Sequence, residues 1–367
     1  NISGFNEKLF IFWEEIDLCR RFRSQKLSVI VTPKSNVEHK QEKSSDSDFQ
    51  NFLIKTYYHE YSPLVYFNVQ TFSFFYLKRM IKYLSRNFTL VLGLGILLIS
   101  SLVWFAFYLV VDFNHAQALS FRPSQPPSMD HWLGTDRMGK DVLTSIVIGT
   151  PQTIQIGVVA GGIGIVLGVI LGFMAGFFGG IIDYIIKFIV DVFQSIPPLV
   201  VLIIFAISIP GDMTILQLSL IVGVTSWLGP TRVLRSQVLV MKELNYVSLS
   251  RFSGLPSWKI IFMEILPNLL PYVMANFVMT VAGAILASIG IEALGLGAFS
   301  SNSLGMTIYW NIWYSSLLQG WWWWWSPPIL IIILVFVSLY LISQGLDEWA
   351  NPRLKTKSSN FITRDIC

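Results

Sequence analysis

"FTLVLGLGILLISSLVWFAFYLVV", residues 88–111, decides the fold. Such a run of about 20 apolar residues crosses a hydrocarbon core of roughly 30 Å as one helix. Further apolar runs follow it, bunched rather than spread at the spacing of a soluble core. Hydrophobic residues make up 53% of the 367 positions and charged residues only 13%, against about 25% charged in soluble domains. The mean hydropathy is +0.58. These values predict an all-α polytopic membrane protein.

Orientation is read from where the basic residues lie, since the net charge of +4 carries little by itself. Lys78, Arg79, Lys82 and Arg86 precede the first span, which puts its start on the cytoplasmic side. Residues 112–152, polar and Pro-rich, then lie outside. Spans follow at about 153–176, 184–209, 214–230, 269–293 and 327–345, with "IPGDM" as a tight outer turn. Arg232, Arg235, Lys242, Arg251 and Lys259 fall inside, as do Arg353, Lys355 and Lys357 of the tail. The outer segments hold Arg122, Arg137 and Lys140, and 294–326 holds no Lys or Arg. The expectation is six transmembrane helices with both termini cytoplasmic. It divides into a first helix with its basic flank (78–111), an external segment (112–152), a transmembrane core (153–346) and a tail (347–367).

Residues 1–77 are different in character. "NVEHKQEKSSDSDFQ" reads as a solvated linker, and the aromatic stretches around it are too short or too interrupted to span. No run there has the basic start, apolar core and small-residue cleavage site of a signal peptide. This extension is expected on the cytoplasmic side and carries no assigned role.

Several chemistries are excluded by residue type. Cys19 and Cys367 are the two cysteines, near opposite ends, so no disulfide framework or C-x-x-C metal site is expected. His39, His59, His115 and His131 lack a helical pairing for a metal. "GTDRMGKD", 134–141, imitates a phosphate-binding G-x-x-x-x-G-K loop, but Asp141 stands where a Ser or Thr hydroxyl would meet Mg²⁺. It also lies outside, away from any ATP pool, and does not join a strand to a helix. Gly134 and Gly139 are read there as turn residues, with Asp136 and Asp141 pairing locally with Arg137 and Lys140.

Other features belong to the membrane architecture. Gly164, Gly168, Gly172 and Gly176, with Gly157 and Gly161 before them and Gly180 after, recur mostly every four residues, a helix face on which another helix can approach closely. That face serves bundle packing, or a surface for sliding during gating. Asp183, Lys187 and Asp191, at i, i+4 and i+8, form an acid–base–acid row. Local pairing explains the row, and a gate or inter-subunit contact is the alternative. Glu292 has no such partner; it reaches water at the outer interface or lines a substrate path. "GWWWWWSPP", 320–328, is expected to anchor the outer start of the last span at the membrane interface.

Residues 242–268, "KELNYVSLSRFSGLPSWKIIFMEILPN", are too polar to span. Gly254 and Pro256 read as a helix stop and a new start. Trp258, Ile261, Phe262 and Ile265 then form an amphipathic stripe, which Pro267 ends. Two short helices of this kind make a docking surface, or a hairpin lying on lipid.

At this loop the sequence resembles the inner-membrane permeases of binding-protein-dependent ABC importers. Their E-A-A element falls on Ser248, Leu249 and Ser250, without the Glu; Gly254 is the glycine, and Ile265, Leu266 and Pro267 the closing element. "HWLGTDRMGKDVLTSIVIGTPQTIQIGV" and "GFFGGIIDYIIKFIVDVFQSIP" resemble blocks of the second permease of dipeptide and oligopeptide importers, with Lys140 and Lys187 at Arg positions. "ALGLG" (293–297) and "QGLDEWANPRL" (344–354) extend the likeness across about 80–354. The resemblance implies the type I ABC importer permease fold. It implies a heterodimer with a second permease, two cytoplasmic ATPases that bind ATP and Mg²⁺, an extracytoplasmic binding protein, and no nucleic acid. This chain itself would hold no cofactor and perform no covalent chemistry. Ser248, Leu249, Ser250, Arg251, Gly254, Leu255, Ile265 and Pro267 would couple ATPase closure to alternating access. Nickel, glutathione and oligosaccharides are the other cargoes of such permeases, and a non-transporting membrane scaffold is the reading from another class.

Overall fold

The first span begins where Asn87 turns the chain, its side-chain oxygen accepting the Leu90 N–H as a helix cap. In the computed structural model, which describes residues 87–252 and 254–350, helix α1 then runs Phe88–Val110. Only Leu90 and Gly93 of α1 are buried, while Leu98, Ile99, Leu102 and Val110 are exposed. In a hydrocarbon solvent that outward apolar surface is what stability requires. The expected extension 1–77, the basic flank before Asn87 and the tail beyond residue 350 lie outside the described residues.

Nine more helices follow: α2 Val142–Phe178, α3 Gly180–Ser195, α4 Pro198–Ile207, α5 Ile215–Ser226, α6 Leu228–Met241, α7 Asn245–Phe252, α8 Ser257–Ala293, α9 Leu304–Trp313 and α10 Trp322–Ala350. A short 3₁₀ turn, Phe113–Ala116, follows α1. Among the described residues the sole strand-like feature is an isolated Thr135–Asp141 bridge. Helices α1, α2, α8 and α10 are each long and apolar enough to cross a membrane. The span expected at 184–209 is not one straight helix. It is the pair α3 and α4, bent by 81°, because Pro197 cannot continue α3 and instead leads into Pro198 at the start of α4. The span expected at 214–230 falls on α5 and α6, joined through Trp227, whose backbone is helical. By length and apolar composition the described residues thus offer four crossing helices, and a fifth crossing if α3 and α4 count as one span.

Two boundaries move for the same reason. Helix α2 was expected from about 153 and begins at Val142, carrying Pro151 in its interior. A helix proline leaves the carbonyl four residues back without its donor. That carbonyl belongs to Val147, and the Trp104 indole N–H of α1 donates to it at 2.8 Å. Helix α10 likewise contains Pro327 and Pro328 rather than starting at them. The Trp324 carbonyl, four residues before Pro328, receives the Asn311 amide of α9 at 3.4 Å.

The glycine face of α2 decides the packing. A methyl group added at Gly164, Gly168, Gly172 or Gly176 would lie 2.5–2.9 Å from Ser226, Pro230, Thr231 or Val238. These four therefore seat the α5–α6 pair. Gly157 and Gly161 face Ile285 and Val281 of α8 instead. Each four-residue step turns about 40° past a full rotation, so one row of glycines serves two neighbours in succession. Gly180 has nothing close to it and takes no part in this face. Gly93 and Gly345 bring α1 against α10 in the same manner, and Asn87 donates to Glu348 at 2.8 Å. Residues 240–268 belong to a different compact unit from 87–239 and 269–350.

Candidate functional site

Three groups of residues carry the candidate site: the 242–268 segment, the charged face of α3, and the outer block around 134–141.

In the 242–268 segment, α7 ends by a backbone device. Gly254 has φ +77°, its N–H donates to the Arg251 carbonyl at 2.9 Å, and the Leu255 N–H donates to the Ser250 carbonyl at 3.2 Å. That pair of bonds is a Schellman cap, which needs a left-handed residue at the Gly254 position. Pro256 is extended and caps the next helix. Val247 is buried, Ser248, Leu249 and Ser250 are half-buried, and Arg251, Phe252 and Gly254 are exposed. The Ser250 hydroxyl donates to the Tyr246 carbonyl at 3.0 Å.

Pro267 does not end the helix that begins at Ser257. A π turn, Ile260–Ile265, precedes it, and the wider turn gives the proline ring room, so the helix continues to Ala293. The same turn breaks the expected stripe. Ile260, Glu264 and Ile265 are buried, whereas Trp258 and Phe262 are 56% and 60% exposed. One extra residue in a turn rotates everything after it, and a 3.6-residue period does not anticipate that. The Lys259 ammonium lies 5.6 Å from the Trp258 ring centroid.

On α3 the acids reach across to α6. Asp183 takes both the Nε and Nη2 of Arg235, the second at 2.7 Å. Asp191 pairs with Arg232 at 2.5 Å. The i, i+4 spacing with Lys187 suggested pairing along the helix, and the arginines three residues apart on α6 were the signal passed over.

The outer block is held by backbone. Gly134 and Gly139 have φ +67° and +76°, and a side chain at either would strike the carbonyl of Gln125 or Phe121. Asp136 does not pair with Arg137. Its Oδ1 accepts the N–H groups of Met138 and Lys140 at 2.8 and 2.7 Å. Burial outweighs those bonds and pushes the Asp136 pKa up to about 6. Asp141 caps α2, accepting the Thr144 N–H at 2.9 Å and its hydroxyl at 2.8 Å. The His131 Nδ1 lies 3.2 Å from its other oxygen. Lys140 donates to Asn302 at 2.9 Å, and burial lowers its pKa. A cavity of about 20 Å³ is lined by Asp136, Lys140, Ser145, Asn302 and Trp310 among others, room for about one water.

Other loops are tied in the same way. Asp212, in the "IPGDM" turn, accepts the N–H groups of Phe299 and Ser300 at 2.9 and 3.2 Å. The Ser300 hydrogen bond, with these two, holds the Asp212 carboxyl below its usual range. Glu292 neither reaches water nor lines an open path. It is fully buried, accepts the Ser303 hydroxyl, and sits where Gly297 and Gly305 leave it space. The tryptophan run is only partly an anchor: Trp322 is exposed, but Trp324 is 3% exposed. Trp324 packs with Tyr314 and Trp321 at ring separations of 6.1 and 6.2 Å. Among the described residues no group of three His, Cys, Asp or Glu side chains could hold a metal ion.

Residues 164–356 match the family described as "Binding-protein-dependent transport system inner membrane component". The chain belongs to this family. It is a transporter permease subunit. It is 31% identical to the dipeptide transport system permease protein DppC of Bacillus subtilis (strain 168), over 63% of this chain and 71% of that one. It is 27% identical to the oligopeptide transport system permease protein AmiD of Streptococcus pneumoniae, over 76% and 90%. With the glutathione transport system permease protein GsiD of Pectobacterium atrosepticum it shares 30%, over 59% and 71%.

Proposed function

We propose that this permease carries peptides of the dipeptide and oligopeptide class into the cell by alternating access. It works with a second permease as a heterodimer, two cytoplasmic ATPases that bind ATP and Mg²⁺, and an extracytoplasmic binding protein. The termini and the 242–268 segment lie on the cytoplasmic side, and the outer block faces the binding protein. Membrane lipid contacts the exposed apolar faces of α1.

The observation that carries this reading is the Gly254 joint. A Schellman cap fixes the angle between α7 and α8 and leaves Arg251, Phe252 and Trp258 exposed. A rigid joint with open side chains suits a surface that receives a push from an ATPase. In this mechanism ATP binding biases one of two helix arrangements, and Ser248, Leu249, Ser250, Arg251 and Leu255 deliver the bias. Ile265 and Pro267 set the exit from the segment. Peptide cargo follows from the named relatives, and the glutathione relative supports a second reading, since glutathione is itself a small peptide.

The test is uptake into vesicles holding the chain with its partner subunits and binding protein, offered labelled dipeptides, longer peptides, glutathione, oligosaccharides and Ni²⁺. ATP-dependent accumulation of peptides is the expected result. Accumulation of only sugars or Ni²⁺ overturns the cargo, and no accumulation of any of them favours a scaffold.

A further inference from the structure

Helix α3 is an arm between two joints. It starts at Gly180, capped by Gly179; the two have φ +56° and +68°, and an added methyl group at either would meet nothing within 4 Å. It ends at the 81° bend before α4. Val190 alone among its residues is buried, and Ile181, Tyr184 and Phe188 are 77%, 72% and 59% exposed. Apolar packing of the α2 and α6 kind is therefore scarce along α3. What ties it to α6 is charge: Asp183 to Arg235, and Asp191 to Arg232.

Helix α6 is held in the opposite way on its other side. The glycine face of α2 receives Pro230, Thr231 and Val238 at contact distance, and Leu234 and Val238 are wholly buried. After Met241 the chain passes directly into the 242–268 segment. A displacement of that segment is thus delivered through the chain to α6.

We infer that the two Asp–Arg pairs are a positioning clasp through which α6 moves α3 during the transport cycle. Half-exposed ion pairs add little stability, but they fix orientation and can part and re-form without exposing a packed apolar seam. Two unpacked glycines and a proline bend give the arm the backbone freedom such a motion needs. Asp183, Asp191, Arg232 and Arg235 are positioning residues, and none of them is assigned to cargo. The inference rests on the coupling role proposed above for 242–268.

The experiment measures peptide uptake and ATP hydrolysis together, in vesicles holding the chain with its partner subunits. Asp183→Arg and Arg235→Asp are made singly and combined, with Gly254→Val in parallel. The clasp predicts that each single change lowers peptide taken up per ATP hydrolysed by about tenfold. It also predicts that the combined swap recovers to within about threefold of the original. Arg232→Gln, at the more exposed pair, keeps the test valid if a charge reversal prevents assembly, and predicts a loss of about threefold. An unchanged ratio in the assembled single variants, or a swap that does not recover it, overturns the clasp. A lowered ratio in the clasp variants beside a normal one in Gly254→Val overturns the coupling role of 242–268, and with it the path assigned to the clasp.

Discussion

The outer block and the 242–268 segment solve the same problem, how to hold a chain outside the membrane, in opposite ways. In the 134–141 block the carboxylates are spent internally, Asp136 on two backbone N–H groups and Asp141 on a helix start, as Asp212 is on the Phe299–Ser300 loop. In 242–268 the backbone caps itself through Gly254, and side chains such as Arg251, Phe252 and Trp258 remain at the surface. A region that satisfies its own polar groups is preorganised. A region that keeps such side chains at the surface suits the ATPase contact proposed for it.

The comparison can be broken, and the largest effect is expected at Gly254. Gly254→Val forces a β-branched residue into the left-handed region, costing roughly 1–2 kcal/mol or more locally, and the α7–α8 angle is lost. Uptake should fall at least tenfold while the chain still assembles; unchanged uptake would falsify the rigid joint. Asp136 comes next. Its pKa is raised to about 6 from 3.8, so between those values the folded state holds a proton that the unfolded state has released. Stability is then fully present below about pH 4 and is lost as pH rises through about 6, by up to roughly 3 kcal/mol. Thermal unfolding should occur at a higher temperature at pH 4.5 than at pH 7. Asp136→Asn, which still accepts the two N–H groups, should flatten that part of the profile.

A smaller loss is expected from Asp141→Ala, which removes the α2 cap and the bond to Thr144. The cost is about 1 kcal/mol, measured as a lower unfolding temperature, and an unaltered one would show that the cap is dispensable. Smallest of all is Trp258→Ala. Its ring is largely exposed, so the stability of the isolated chain should change by no more than about 0.5 kcal/mol. A drop in ATPase affinity without that destabilisation sharpens the contrast between the two regions. A large destabilisation reverses it.

Much of this architecture was legible in the sequence, because hydropathy reports the solvent directly. The α1 limits and the Gly254–Pro256 joint could both be read from residue type and spacing. What could not be read depends on partners distant in the chain. The prolines at 151, 267 and 327–328 look like helix ends, since a local pattern does not reveal that Trp104 or Asn311 takes up a freed carbonyl, or that a π turn makes room. The row Asp183–Lys187–Asp191 looks self-contained until Arg232 and Arg235 are brought beside it. Glu292 at the end of an apolar run suggests water, and only the packing of Gly297 and Gly305 around it shows otherwise.

The bond from Trp104 to the Val147 carbonyl has a consequence for biogenesis. A buried carbonyl without a donor is costly, and Pro151 creates one at Val147, in the first third of α2. Helix α2 is thus incomplete until α1 stands beside it. Because α1 also seats against α10 through Gly93 and Gly345, a single helix both completes α2 and receives α10, and α2 cannot be fully satisfied in its absence.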